Sequence, residues 1–166
     1  VVTGNTDCTG AAAIPNTVIS IGIYAFMNAT ALETVTFEAG SALTSIGTNA
    51  FYGATSLTSI TIPSSVTSIS RFAFENASAL TSITIPSSVT SIGNYAFQGA
   101  SSLSHITFGG DAPATVGTNA FRSVGNDSLA IIEFSATGFG TETTWNGLTI
   151  ARAVNCSTSG TFTITD

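Results

Sequence analysis

The chain has 166 residues, a net charge of −6 and only three strong cations, Arg71, Arg122 and Arg152. Phosphate backbones are held by clustered Lys and Arg, so nucleic acid is excluded as a partner. Charged residues are 7% of the chain, far below the roughly 25% of an ordinary soluble domain, yet the 43% apolar content builds a core rather than a disordered coil.

The surface must therefore be made of Ser, Thr, Asn and Gly, which suits an extracellular or cell-surface protein. No stretch approaches 18 consecutive apolar residues, so no membrane-spanning helix is expected. The chain opens at Val1 without Met or signal peptide, as expected of a piece of a longer protein. Cys8 and Cys156 sit near opposite ends. Rungs about 4.8 Å apart separate those ends too far for a disulfide unless a tail folds back. His105 is the lone histidine, and no metal site is expected.

Residues 1–13 read as an N-terminal cap segment, polar and Gly-containing up to Gly10 and then Ala11-Ala12-Ala13 in a strand position. From Ile14 the chain becomes periodic. Ala-Phe recurs as Ala25-Phe26, Ala50-Phe51, Ala73-Phe74, Ala96-Phe97 and Ala120-Phe121, at intervals of 25, 23, 23 and 24 residues. A fixed period in the twenties marks a solenoid, here of about five repeats over residues 14–134.

Each repeat opens on a Leu-x-x-Ile-x-Ile strand: Leu32 to Phe37, Leu57 to Ile62, Leu80 to Ile85, Leu103 to Phe108 and Leu129 to Phe134. Period two turns Ile83 and Ile85 inward and Ser82 and Thr84 outward. Pro63 and Pro86, lacking an N–H, end their strands. Val66 to Ile69 and Val89 to Ile92 then supply a second apolar wall. Gly22, Gly47, Gly93 and Gly117 follow, where positive φ or close backbone approach is expected. Ala-Phe then lies on a short helical turn, and Ala29, Ala54, Ala77 and Ala100 let the chain turn back. The loops Glu38–Ala42 and Gly109–Pro113 add two residues and one residue to the repeat, respectively. Residues 135–166 read as a C-terminal cap, with Trp145 and Leu148 over the last rung as a capping or assembly surface. Gly160 to Asp166 reads as a strand leading into a following domain.

The repeat Leu-x-x-Ile-x-Ile-Pro-x-x-Val-x-x-Ile-Gly-x-x-Ala-Phe resembles the BspA-like, or treponemal-type, leucine-rich repeat family. The match is closest over Leu57 to Ala77 and Leu80 to Ala100; Ala stands where that family often has Cys after the turn. The resemblance implies a leucine-rich repeat solenoid with a parallel sheet on its concave side and short strands and helical turns on the other. It also implies a bacterial surface or secreted interaction module, and brings no catalytic residue with it.

Outward strand positions form two files. One is Thr34, Ser59, Ser82, His105 and Ile131; the other is Thr36, Thr61, Thr84, Thr107 and Glu133. The candidate ligand-binding face is Thr34, Thr36, Ser59, Thr61, Ser82, Thr84, His105 and Thr107. Solvent-facing strand positions favour β-branched polar residues in any case, so the ladder also has a plain structural reading. Ser82, His105 and Glu133 all point outward with no oxyanion hole, so no hydrolase is expected, nor any cofactor. Tyr24, Asn49, Phe72, Tyr95 and Asn119, just before each Ala, read as a convex-side margin whose aromatics either form an exposed contact patch or, the plainer reading, pack partly between turns. Sequons at Asn28, Asn76, Asn126 and Asn155 could carry glycans in a eukaryotic secretory route, and chance matches are expected in a chain rich in Asn, Ser and Thr.

The leading reading is a non-catalytic recognition or adhesion module binding a protein or glycan through the concave face. The alternative is a self-associating structural subunit or spacer of a surface fibre. The weaker third is ice or crystal-surface binding through the threonines.

Overall fold

The computed structural model describes residues 1, 8–133 and 135–153. The chain is a stack of rungs in which two parallel sheets face each other across a core. In chain order the strands are β1 (Gly10–Ile14), β2 (Ser20–Ile21), β3 (Leu32–Phe37), β4 (Ser45–Ile46), β5 (Ser59–Ile60), β6 (Ser68–Ile69), β7 (Ser82–Ile85), β8 (Ser91–Ile92), β9 (His105–Phe108), β10 (Thr115–Val116), β11 (Leu129–Ile132), β12 (Thr144–Trp145) and β13 (Leu148–Arg152). The broad wall is built from β1-β3-β5 and from β7-β9-β11-β13, joined by the single bridge Thr61↔Thr84. The opposite wall is the narrow sheet β2-β4-β6-β8-β10.

Side-chain period and hydrogen-bond ladder agree along the stack. Leu32, Leu57, Leu80 and Leu103 form one column with no exposure, and Val35, Ile60, Ile83 and Ile106 form the next. Ile21, Ile46, Ile69 and Ile92 face them from the narrow wall. The small Ala29, Ala54, Ala77 and Ala100 are fully buried where the chain turns back. β1 adds a rung within the segment read as a cap, with Ala12 paired to Val35 and Ile14 to Phe37.

The Ala-Phe segments are successions of turns, and no helix occurs among the described residues. Each turn has i→i+3 bonds, such as Ala25 N–H to Gly22 C=O (3.3 Å) and Ala29 N–H to Phe26 C=O (3.2 Å). Every second N–H instead donates to the next rung: Tyr24, Phe26 and Asn28 to the carbonyls of Thr48, Ala50 and Tyr52 at 3.1, 2.7 and 2.7 Å. A helix would consume these donors internally; the turns leave them for the stack.

This arrangement places Tyr24, Asn49, Phe72, Tyr95 and Asn119 at φ between 57° and 61°. The expected glycines do not take that role. Gly47, Gly93 and Gly117 instead permit close approach: a Cβ on them would lie 2.8, 2.4 and 2.3 Å from backbone atoms of the preceding rung. Aromatic residues accept the left-handed conformation because the bonds between rungs fix both flanking peptides, and sterics alone disfavour it.

Phe26, Phe51, Phe74, Phe97 and Phe121 form a continuous column, with successive centroids 5.1, 5.1, 5.2 and 5.3 Å apart and rings within 8° of parallel. The column ends on an aromatic plug. Trp145 meets Phe139 at 4.9 Å and Phe108 at 5.2 Å, edge to face, and lies 6.1 Å from Phe121. Trp145 is partly buried and Leu148 fully buried, and β12 turns back antiparallel on β13 at that edge. Cys8 packs against the core. Cys156, Asn155 and the Gly160–Asp166 strand reading lie outside the described residues.

The last broad-wall rung differs from the sequence alignment. Leu129 pairs with His105 and Ile131 with Thr107, so Ala130 and Ile132 face inward. The leucine of every earlier rung stands six residues after its phenylalanine, as from Phe97 to Leu103; after Phe121 that position is Asp127. The ladder keeps its step, with Leu129 N–H on Ser104 C=O at 2.8 Å, and the leucine is displaced by two. Buried Ser128 closes the gap, its hydroxyl donating to Leu103 C=O at 2.7 Å.

Phe74→Ala empties the middle of the column and should cost about 3–5 kcal/mol in urea unfolding. A loss below about 1 kcal/mol would mean that the ladders alone hold the rungs.

Candidate recognition face

On the broad wall, Ser59, Thr61, Ser82, Thr84, Thr36 and His105 are exposed, and Thr34 and Thr107 partly so. Pairing sets them in register: Thr34↔Ser59, Ser82↔His105, Thr61↔Thr84 and Thr84↔Thr107. Rungs about 4.8 Å apart thus present two rows of short polar side chains. The rows continue into Leu129 and Ile131, not Ile131 and Glu133. Glu133 is exposed and outside the strand, so it does not join Ser82 and His105. His105 Nδ1 shares a 2.8 Å hydrogen bond with Ser104 Oγ, its neighbour in the chain.

Threonine hydroxyls serve two purposes, set by their position along the strand. On the narrow wall, Thr44, Thr67 and Thr90 hydroxyls donate to the preceding rung's Ile19, Thr44 and Thr67 carbonyls at 3.0, 3.2 and 3.4 Å. On the broad wall, among the described residues, the hydroxyls of Thr36, Thr61, Thr84 and Thr107 have no side-chain hydrogen bond within the protein. The broad wall has ties of the same kind beside the open row: Thr58 and Ser104 hydroxyls donate to the Glu33 and Thr81 carbonyls at 3.1 and 3.4 Å, so position along the strand, not the wall, separates ties from open hydroxyls. Sequence alternation alone shows both sets outward; only the rung-to-rung geometry separates them.

The turn margin is a packed edge. Phe72 and Tyr95 stack at 5.3 Å, and the Arg71 guanidinium lies 4.2 Å over the Phe72 ring. Tyr24 is exposed. Burial pushes the Glu75 carboxyl up from its ordinary range, opposed by a hydrogen bond from Gln98 and by the Arg71 charge. Asn28 and Asn76, first residues of two sequons, hold left-handed turn positions at φ 56° and 59°. An open cleft of about 430 Å³ breaks the broad wall at the end of β3, between Thr36, Phe37 and Glu38 on one rung and Thr61, Pro63 and Ser64 on the next. Alternation does not mark it; the 25-residue interval, with two residues added in Glu38–Ala42, is its trace in the sequence.

The family described as BspA type leucine rich repeat region matches residues 5–137 in six copies. The chain belongs to the BspA-type leucine-rich repeat family. No curated protein matches it. Among solved structures, this BspA-type chain is similar to the pneumococcal vaccine antigen PcpA, at 24% identity and TM-score 0.60, over 77% of this chain and 31% of that one. It is also similar to a leucine-rich repeat protein from Bacteroides ovatus, at 30% identity and TM-score 0.60, over 75% and 31% of the two chains. It thus spans under a third of the length of either. The likeness to PcpA is one of fold. No helix among the described residues is long and apolar enough to cross a membrane.

Asp111, in the one-residue insertion, accepts a 2.6 Å hydrogen bond from the Thr137 N–H, which ties the last regular repeat to the C-terminal cap. That bond holds the Asp111 carboxyl below its ordinary value. A depressed folded-state value stabilises above the ordinary aspartate range, near about 3.9, and the contribution is lost as pH falls through the folded value. Asp111→Asn should lower the melting temperature at pH 7, with the gap to the parent closing as the pH drops towards 3. A gap constant with pH would show that the carboxylate charge plays no part.

Proposed function

We propose that this chain is a non-catalytic recognition module of a bacterial surface or secreted protein, binding a protein or glycan ligand through the broad wall. The observation that carries the reading is the open hydroxyl face. Thr61, Thr84, Ser59 and Ser82 are exposed, held in register by the ladder, and have no side-chain hydrogen bonds within the described protein. Such a face is pre-organised, so little ordering is lost on binding. The low charge fits ligands captured by hydrogen bonding and shape rather than by long-range steering. The near-absence of cations and the Ser- and Thr-rich surface support an extracellular setting, and membership of the repeat family supports interaction rather than catalysis.

The fibre-subunit reading needs open ends. At the C-terminal end β12 covers the edge of the broad wall and Trp145 closes the core beneath it, which counts against end-to-end growth there, while Ile19, Ile23 and Tyr24 are exposed on the first rung. An ice-binding plane needs a regular array, and here the ladder is interrupted between Thr36 and Thr61.

Thr61→Tyr and Thr84→Tyr, alone and together, should reduce retention of the protein on host-matrix proteins or a glycan panel at least tenfold, while circular dichroism and the melting temperature stay unchanged. Thr67→Tyr on the narrow wall is the control and should leave retention intact. Loss with the control and not with the broad-wall variants would place the ligand on the other face.

A further inference from the structure

The cleft at the end of β3 gathers several departures from the repeat in one place. The column Ile14, Ile62, Ile85, Phe108 and Ile132 is at most 4% exposed, whereas Phe37, its member on the second rung, is only partly buried and lines the cleft. The ladder also stops there. β3 runs to Phe37, but β5 pairs with it only through Thr34↔Ser59 and Val35↔Ile60. Pro63 stands where Glu38 and Gly109 donate to the carbonyls of Ile14 and Ile85, at 3.0 and 2.9 Å. Having no N–H, Pro63 leaves the Phe37 carbonyl without that donor, as Pro86 does for Ile62 one rung on; at Phe37 the lack coincides with the longer loop. The Glu38–Ala42 loop that follows is two residues longer than its counterparts on the next two rungs.

The opening is held from both sides. Glu38 Oε2 accepts the Asn16 N–H at 3.1 Å, Asn16 Nδ2 donates to the Ala39 carbonyl at 3.3 Å, and the Ala42 N–H donates to the Asn16 carbonyl at 3.1 Å. From the next rung, Ser65 Oγ reaches the carbonyls of Ser41 and Leu43 at 3.0 and 2.6 Å. The loop is therefore fixed in place before any ligand arrives.

We infer that this cleft is a subsite for a neutral sugar residue, within the broader reading of the wall as a ligand-binding face. Phe37 and Pro63 offer apolar surface for the C–H face of a pyranose ring. Thr36, Thr61 and Ser64 offer hydroxyls, and Glu38 a carboxylate that has an oxygen free to accept from sugar hydroxyls. A volume of about 430 Å³ falls in the range of small-ligand sites. Glu38, the absence of a cation in the lining and the net charge of −6 disfavour sialylated or sulfated ligands.

The test is an array of neutral and anionic oligosaccharides, with affinities of any hits measured by calorimetry for the parent, Phe37→Ile, Glu38→Gln and Thr84→Tyr. Phe37→Ile restores the isoleucine of the neighbouring rungs, so its fold is preserved while the aromatic surface is lost. The expected result is capture of a neutral oligosaccharide, weakened at least tenfold by Phe37→Ile and several-fold by Glu38→Gln, with no capture of the anionic series. Binding untouched by Phe37→Ile but abolished by Thr84→Tyr would overturn the subsite and leave the face reading standing. Selective capture of anionic glycans, or of matrix proteins with no glycan at all, would overturn the sugar assignment.

Discussion

A single rung of this protein cannot bury its own apolar side chains; only a neighbour one ladder step away can cover them. The phenylalanine column makes that dependence concrete. Five rings lie parallel at 5.1 to 5.3 Å, close to the step of about 4.8 Å that parallel backbone pairing imposes. Backbone ladder and aromatic stack share one period, so neither can shift without breaking the other. The turns serve the same constraint: they leave alternate N–H groups unused within the turn and hand them to the next rung. The stack must then be terminated, and Trp145, Phe139 and the β12–β13 hairpin do so by meeting the last rings edge-on.

The face follows from the stack. Side chains alternate across a strand, so whatever lies outward repeats at each rung in register. On the narrow wall the threonines are spent on holding rungs together. On the broad wall Thr58 does the same, while Thr36, Thr61, Thr84 and Thr107 stand open. A scaffold that fixes its own backbone so completely can present side chains with little freedom left to lose, which is the condition for recognition by many small contacts.

Much of this was legible in the sequence. The 23-to-25-residue period, the inward Leu and Ile columns, the Ala-Phe turn and the eight outward residues from Thr34 to Thr107 can all be read from spacing, because each rests on a period that the chain repeats. What escaped spacing is whatever depends on contacts between rungs. Tyr24 and Phe72 at positive φ contradict their side-chain type and are explained only by hydrogen bonds to the next rung. For Gly93 the spacing left positive φ and close approach both open, and the neighbouring rung decides for close approach. Leu129 imitates the strand motif but sits two residues out of place, which the six-residue interval from Phe121 could have revealed. The cleft beside Phe37 arises where a proline, an insertion and a shortened strand coincide, and only their adjacency in space makes it visible.

The central claim is that the stack, capped at its C-terminal end, presents a face to another molecule rather than joining copies of itself into a fibre. Light scattering across a wide concentration range tests it most directly. The account predicts one species of about the chain mass of 16.7 kDa at every concentration. Growth into long particles with rising concentration would contradict it, and would make the ends of the stack, not the broad wall, the functional surface.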